Sequence, residues 1–256
     1  MSMRIFEPLF VALSTYSAIP VPQFEWNERN MKYSICFFPA VGMLCGLALW
    51  LWSLFCAWLE LSGMLFAAVA VCIPLLISGG IHMDGYMDTM DALSSHQPRE
   101  RKLQIMKDPN CGAFAVIYCG IYLLLDLGLL YELYGQGAVF VYCPVYVLSR
   151  SLSALCAVNL PNARRSGMLC AYTQNADRKK ATVAMLFVAV AAGAVLLLLS
   201  PKMGGCVLLA ALLALLLYRR SAMKEFGGVT GDTSGFFLQL CELFCLLGAL
   251  VGAYLR

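Results

Sequence analysis

Three aspartates, Asp84, Asp88 and Asp91, stand at i, i+4 and i+7 in the stretch Ser78-Gly79-Gly80-Ile81-His82-Met83-Asp84-Gly85-Tyr86-Met87-Asp88-Thr89-Met90-Asp91-Ala92-Leu93. On a helix that spacing puts the three carboxylates on one face. Like charges on successive turns repel, so a stable arrangement asks for a compensating cation. Hard oxygen ligands at this spacing suit Mg²⁺ or Mn²⁺, above all where substrate phosphates complete the shell. A solvated acidic face is the plainer alternative. Met83, Met87 and Met90 repeat the spacing one residue earlier, so one face can pack while its neighbour holds metal.

Two other stretches carry chemistry of the same kind. Lys107-Asp108-Pro109-Asn110-Cys111-Gly112 follows Arg99, Arg101 and Lys102, and cations beside a metal site suit a pyrophosphate-bearing substrate. Juxtamembrane Lys and Arg also do no more than set orientation. Arg101 and Lys102 read that way, while Lys107 and Asp108 stay open between the two. Gly227-Gly228-Val229-Thr230-Gly231-Asp232-Thr233-Ser234-Gly235 is a Gly-rich turn ahead of an apolar run. Backbone N–H groups at such a helix start can cradle phosphate, Thr233 and Ser234 can donate to it, and Asp232 can ligate metal or act as a base. The same composition also makes an N-capped loop.

The elements that position these groups are helices in a membrane. Of 256 residues, 61% are hydrophobic and only 13% charged, with a mean hydropathy of +0.76. That is far more apolar than an ordinary soluble domain. The expected fold is all-α, a polytopic integral membrane bundle of about seven helices in one domain, residues 1–256. Apolar windows run from about Ser34 to Leu59, Ser62 to Ile77, Gly112 to Tyr134, Ala138 to Val158, Ala181 to Leu199, Cys206 to Tyr218 and Gly235 to Leu255. The sixth is near the short limit for a span. Residues 79–110 are too charged to cross. Met1 to Ile19 carries Glu7 and lacks a small-residue cleavage site, which predicts a short interfacial or re-entrant helix rather than a signal peptide.

With seven spans, alternate loops can be summed against the positive-inside rule. One side collects fifteen of the eighteen Lys and Arg residues; the other holds Lys202 and Arg256, and Arg150 lies within a span. The Asp stretch, the basic loops and Gly231-Asp232-Thr233 are therefore expected to face the cytoplasm, with the end of the chain outside. The net charge of +3 gives no reason to expect nucleic acid. Twelve cysteines without a CxxC read as buried, reduced thiols, and His82 and His96 lack a zinc pattern. Asp126, Arg150 and Glu242 fall inside spans, where an unpaired charge costs at least roughly 2 to 3 kcal/mol. By depth, Arg150 and Glu242 are the better match.

In sequence order these motifs resemble the cobalamin synthase family, adenosylcobinamide-GDP ribazoletransferase. The carrying residues are Gly79-Gly80-Ile81-His82-Met83-Asp84-Gly85-Tyr86-Met87-Asp88-Thr89-Met90-Asp91, similar to the family's GGxHxDGxxDTxD signature. Ile19-Pro20-Val21-Pro22, Phe38-Pro39-Ala40-Val41-Gly42, Ile105-Met106-Lys107-Asp108, Ser149-Arg150, Ala163-Arg164-Arg165-Ser166-Gly167 and Thr230-Gly231-Asp232-Thr233 support it. Ala18, Ala92, Ala115 and Phe236 depart from residues usual in the family.

The resemblance implies transfer of the adenosylcobinamide phosphate from adenosylcobinamide-GDP to α-ribazole or its 5′-phosphate, with GMP leaving, in the cell (inner) membrane. How the residues divide that work is a hypothesis added to the resemblance: Mg²⁺ on Asp84, Asp88 and Asp91, and Asp232 or a motif aspartate as proton acceptor. The substrate contacts expected on the same hypothesis are His82, Lys107, Asp108, Arg150, Arg164, Gly231 and Thr233. Two other readings share parts of the pattern. A CDP-alcohol phosphotransferase or membrane prenyltransferase also brings Asp clusters to diphosphates. A cation-coupled transporter would use the intramembrane acids, but the aspartates gather on one side and no internal repeat is visible.

Overall fold

In a bilayer every backbone N–H and C=O must find its partner within the protein, and the apolar windows are accordingly helical. The computed structural model describes residues 3–24 and 27–255. The side chains of Arg4 and Arg29, and Arg256 altogether, lie outside the described set although they entered the charge sum. Helix α1 (Met3–Tyr16) and α2 (Glu28–Ser34) lead through a 3₁₀ turn into α3 (Phe38–Trp58), and α4 (Gly63–Ser78) returns. Helices α5 (Ile81–Ser94) and α6 (Arg99–Ile105) carry the polar segment. Next come α7 (Ala113–Gly135), α8 (Val139–Tyr142), α9 (Val145–Asn159) and α10 (Met168–Asn175). The chain closes with α11 (Arg178–Leu199), α12 (Pro201–Ser221) and α13 (Gly231–Tyr254).

Among the described residues, six helical stretches are long and apolar enough to cross a membrane. Helices α4 and α5, bent by 95°, make a seventh if the pair counts as one span. The sixth window is not short. Ser200 accepts the Met203 N–H at 3.4 Å and Pro201 occupies the first turn, so α12 begins five residues before Cys206. The bend between α4 and α5 is made by Gly79 and Gly80, both left-handed at φ +64° and +79°. Only glycine adopts two such conformations in succession at low cost.

Helices α9 and α13 form the centre. Helix α13 packs on α5, α7, α9 and α12, while α3 and α11 pack on α9. The outer faces stay apolar: Phe187 and Leu198 on α11 are largely exposed, as lipid contact requires. The two central helices meet through charge as well. Arg150 of α9 is ion-paired with Glu242 of α13, and both are buried. Ser149 Oγ donates to Glu242 Oε1 at 2.7 Å, and the Tyr142 hydroxyl donates to the Glu242 carbonyl at 3.1 Å. Asp126 is buried on α7 and forms no ion pair among the described residues. All twelve cysteines are free, but only six are buried, and Cys72 and Cys111 are exposed.

The loops segregate to two ends. At one, Gly63 abuts Tyr131 and Tyr134, the Tyr254 hydroxyl donates to Glu132 at 3.2 Å, and Gly252 abuts Met203. The Asp stretch and the basic segments lie at the other, where Lys102 of α6 pairs with Glu225 at 2.6 Å. That contact gives Lys102 a tie between loops rather than a place in the acidic cleft.

Candidate active site

The acidic helix is brought to the bundle by two glycines. A Cβ at Gly85 of α5 would lie 2.8 Å from the Asp232 Cα and carbonyl oxygen, and one at Gly235 of α13 would lie 2.8 Å from the His82 carbonyl oxygen. Helices without side chains at the crossing approach backbone to backbone. Tyr86 clamps the contact, stacking on Phe236 at 5.8 Å and tilting on Tyr122 at 5.4 Å. Phe236, one of the positions that departs from the usual family residue, thus fills a packing role. Met83 is buried, and Met87 and Met90 pack half-buried against the main core, so the methionine stripe is the inward face.

The other face carries the carboxylates. Asp84 is exposed and Asp88 and Asp91 are half-buried. Asp88 feels the negative charges of Asp84, Asp232 and Asp91, with Arg164 as the countering cation. Asp232, the second residue of α13, is ion-paired with Arg164 Nη1 at 2.9 Å. Arg164 Nη2 also donates to the Leu103 carbonyl at 3.3 Å. Arg164 reaches this point because its loop is zipped to the segment before α13. The Val229 N–H donates to the Pro161 carbonyl at 2.8 Å, and the Ala163 N–H to the Val229 carbonyl at 2.9 Å. A basic loop and a Gly-rich turn 60-odd residues apart thereby share one corner.

Asp91 faces the start of α7. Its carboxylate lies against Gly112, so closely that any side chain there would overlap it. Gly112 precedes α7, and a helix amino terminus favours negative charge. Lys107 is exposed on the intervening turn. Asp108 is exposed too and accepts the backbone N–H of Asn110 at 2.9 Å and its side-chain N–H at 2.8 Å. Those bonds hold its carboxyl below the usual carboxylate range. Asp108 is engaged in shaping the turn.

Two expected substrate contacts are placed elsewhere. Arg150 is 1% exposed and committed inside the bundle to Glu242, to Ser149 Oγ at 3.1 Å and to the Tyr146 carbonyl at 3.2 Å. Thr233 is also 1% exposed. It accepts the Thr230 N–H at 2.8 Å, and its own N–H donates to Thr230 Oγ1 at 3.1 Å, a reciprocal cap that begins α13. Both hydroxyl and guanidinium are spent on structure.

Gly231 and His82 do reach the cleft. With Asp84 and Asp232 they line a cavity that runs between α5, α9 and α13 to Tyr16 and Phe38. His82 is buried edge-on to Phe38, with ring centroids 5.6 Å apart, and its Nε2 has no hydrogen-bond partner. Phe38 opens one of the quoted motifs, whereas the cavity residues Tyr16, Ser153, Ala154 and Ala157 escape a motif-based reading. The one sequence signal of the last three is a run of small residues along α9, which is also what tight helix packing produces.

The donor set is oxygen only, and it fits a hard cation. Among the described residues no three His, Cys, Asp or Glu side chains gather as a metal-holding group. Asp84 and Asp88, one turn apart on the open face, offer two carboxylates, and Mg²⁺ characteristically takes one or two from protein and the remainder from phosphate and water.

The family model described as cobalamin-5-phosphate synthase matches residues 8–250. An adenosylcobinamide-GDP ribazoletransferase of Lachnoclostridium phytofermentans is 42% identical over 97% of this chain and 95% of its own length. Proteins of the same name from Desulfitobacterium hafniense and Clostridium botulinum are 35% and 30% identical. They cover 94% and 96% of this chain, and 95% and 98% of their own lengths. No solved structure matches.

Proposed function

The chain belongs to the cobalamin-5-phosphate synthase family, and from that premise we propose that it joins α-ribazole, or its 5′-phosphate, to the phosphate of adenosylcobinamide-GDP with release of GMP. The observation that carries the reading is the single corner in which Asp84 and Asp88 of α5, Asp232 of α13 and Arg164 meet. A ribose hydroxyl of the acceptor attacks the phosphorus on the corrinoid's aminopropanol arm. The new O–P bond forms as the bond to the GMP phosphate breaks, and the hydroxyl proton passes to a carboxylate.

The chain's own groups divide that work. Asp84 and Asp88 would hold Mg²⁺, which would neutralise pyrophosphate charge. Asp91, beside the start of α7, is a third carboxylate in reach of Asp88's field. Arg164 and Lys107 offset the phosphates; an Arg already placed against Asp232 presents a planar fork suited to phosphate oxygens. Asp232 accepts the hydroxyl proton as Arg164 turns to the phosphate. Holding hydroxyl, phosphorus and leaving group in line is itself a large part of such catalysis.

The positive-inside rule supports assigning this end, and the reaction with it, to the cytoplasmic face of the cell (inner) membrane. The deciding experiment is GMP release from adenosylcobinamide-GDP in proteoliposomes, with and without α-ribazole and Mg²⁺. Release that needs both is expected; none under any combination overturns the reading.

A further inference from the structure

The cavity beside the acidic corner has the lining of a slot for a flat apolar ring. Tyr16 and Phe38 pack at 4.4 Å between ring centroids, and His82 sets its edge against Phe38. Ser153, Ala154 and Ala157 of α9 leave space where larger residues would fill it, and Leu238 adds an aliphatic surface. Asp84 and Asp232 line the same cavity, which therefore adjoins the acidic corner.

Among the described residues lining the slot, His82 contributes a buried polar atom with neither a hydrogen bond nor an ion pair, whereas Asp232 Oδ2 is ion-paired with Arg164. His82 is 6% exposed, and its Nε2 is buried without a partner. A buried nitrogen left unbonded is costly, and a ligand that bonds it recovers that cost. The nearby Ser234 hydroxyl is already committed, donating to the Thr230 carbonyl at 2.8 Å.

We propose that this slot receives the benzimidazole base of the acceptor nucleoside, with His82 Nε2 hydrogen-bonded to the ring nitrogen that the ribose leaves free. The inference rests on the transferase reading above. A benzimidazole has one free ring nitrogen and otherwise apolar edges, which is the pattern the slot offers. Adenine would bring several more ring acceptors and an amino group against apolar walls, and guanine more still. Seating the base here turns its ribose towards Asp84 and Asp232, where a hydroxyl proton must be lost. His82 and the α9 residues therefore act as specificity-determining contacts.

The test uses the full chain in proteoliposomes and separates the two substrates. Ala157→Phe fills the slot, and His82→Phe keeps a ring but removes the nitrogen. Both are expected to raise KM for α-ribazole by about tenfold while leaving KM for adenosylcobinamide-GDP near wild type. His82→Phe should also shrink the preference, in kcat/KM, for α-ribazole over the same nucleoside carrying adenine. Ala154→Val is the milder filling variant should Ala157→Phe fail to insert. Binding of α-ribazole alone, followed by benzimidazole fluorescence, should weaken by about tenfold in His82→Phe. An unchanged acceptor KM, unchanged binding, or a rise confined to the donor KM overturns the proposal, the last result assigning the slot to the donor or to lipid. A wild-type protein that releases no GMP defeats the transferase reading itself; an active one with indifferent slot variants defeats this inference alone.

Discussion

Gly85 of α5 lies against the backbone of Asp232 of α13, with room for no more than a hydrogen between them. Through that contact the acidic helix and the Gly-rich turn become one site. A methyl group at Gly85 meets main chain, which cannot swing aside, so the helices must part. Gly85→Ala should therefore cost roughly 1 to 3 kcal/mol of stability and lower kcat well beyond what the stability loss explains. Thermal unfolding in detergent and GMP release below the melting transition check this. Full activity at unchanged stability would show that the close approach is dispensable.

The three motif aspartates should separate by role. Asp84→Asn and Asp88→Asn are expected to lose on the order of 10²-fold or more in kcat with normal membrane insertion. Asp91→Asn, whose carboxylate rests beside Gly112 and α7, should lose much less. Titrating Mg²⁺ after chelation should raise the half-saturating concentration in the Asp88 variant. Equal loss at all three positions would make Asp91 a full member of the metal shell.

Breaking the pair between α9 and α13 should be severe. Glu242→Gln leaves Arg150 buried without its counter-charge, a change worth roughly 3 to 5 kcal/mol. Replacing both, Arg150→Met with Glu242→Leu, should restore much of that stability, since the pair's own desolvation is removed with it. Melting temperatures of the two singles and the double supply the cycle. If the double variant is no better than the singles, the pair does more than hold the helices together.

If the bent pair α4 and α5 counts as one crossing, seven spans put the two chain ends on opposite faces. A reporter fused after Arg256 should respond as external, while Cys111, exposed near the acidic corner, should react with an impermeant maleimide only from the cytoplasmic side. A cytoplasmic carboxyl terminus would mean that α4 and α5 do not amount to a crossing.

The sequence by itself determined the class, the spans and the chemistry on offer. Hydropathy is a property of windows, so α3, α7, α9, α11 and α13 fall close to their apolar runs, and helical spacing alone put Asp84, Asp88 and Asp91 on one face beside that of the methionines. Depth in the bilayer was enough to match Arg150 with Glu242. Side-chain commitment was not legible, because it depends on neighbours far away in the chain. Thr233 and Arg150 have the right types for phosphate contacts, yet one caps a helix and the other neutralises a buried acid. The slot is likewise a property of packing: the motifs single out His82 and Phe38 but not Tyr16 or Ala157, and only the crossing of α5 and α13 at two bare glycines encloses the space between them.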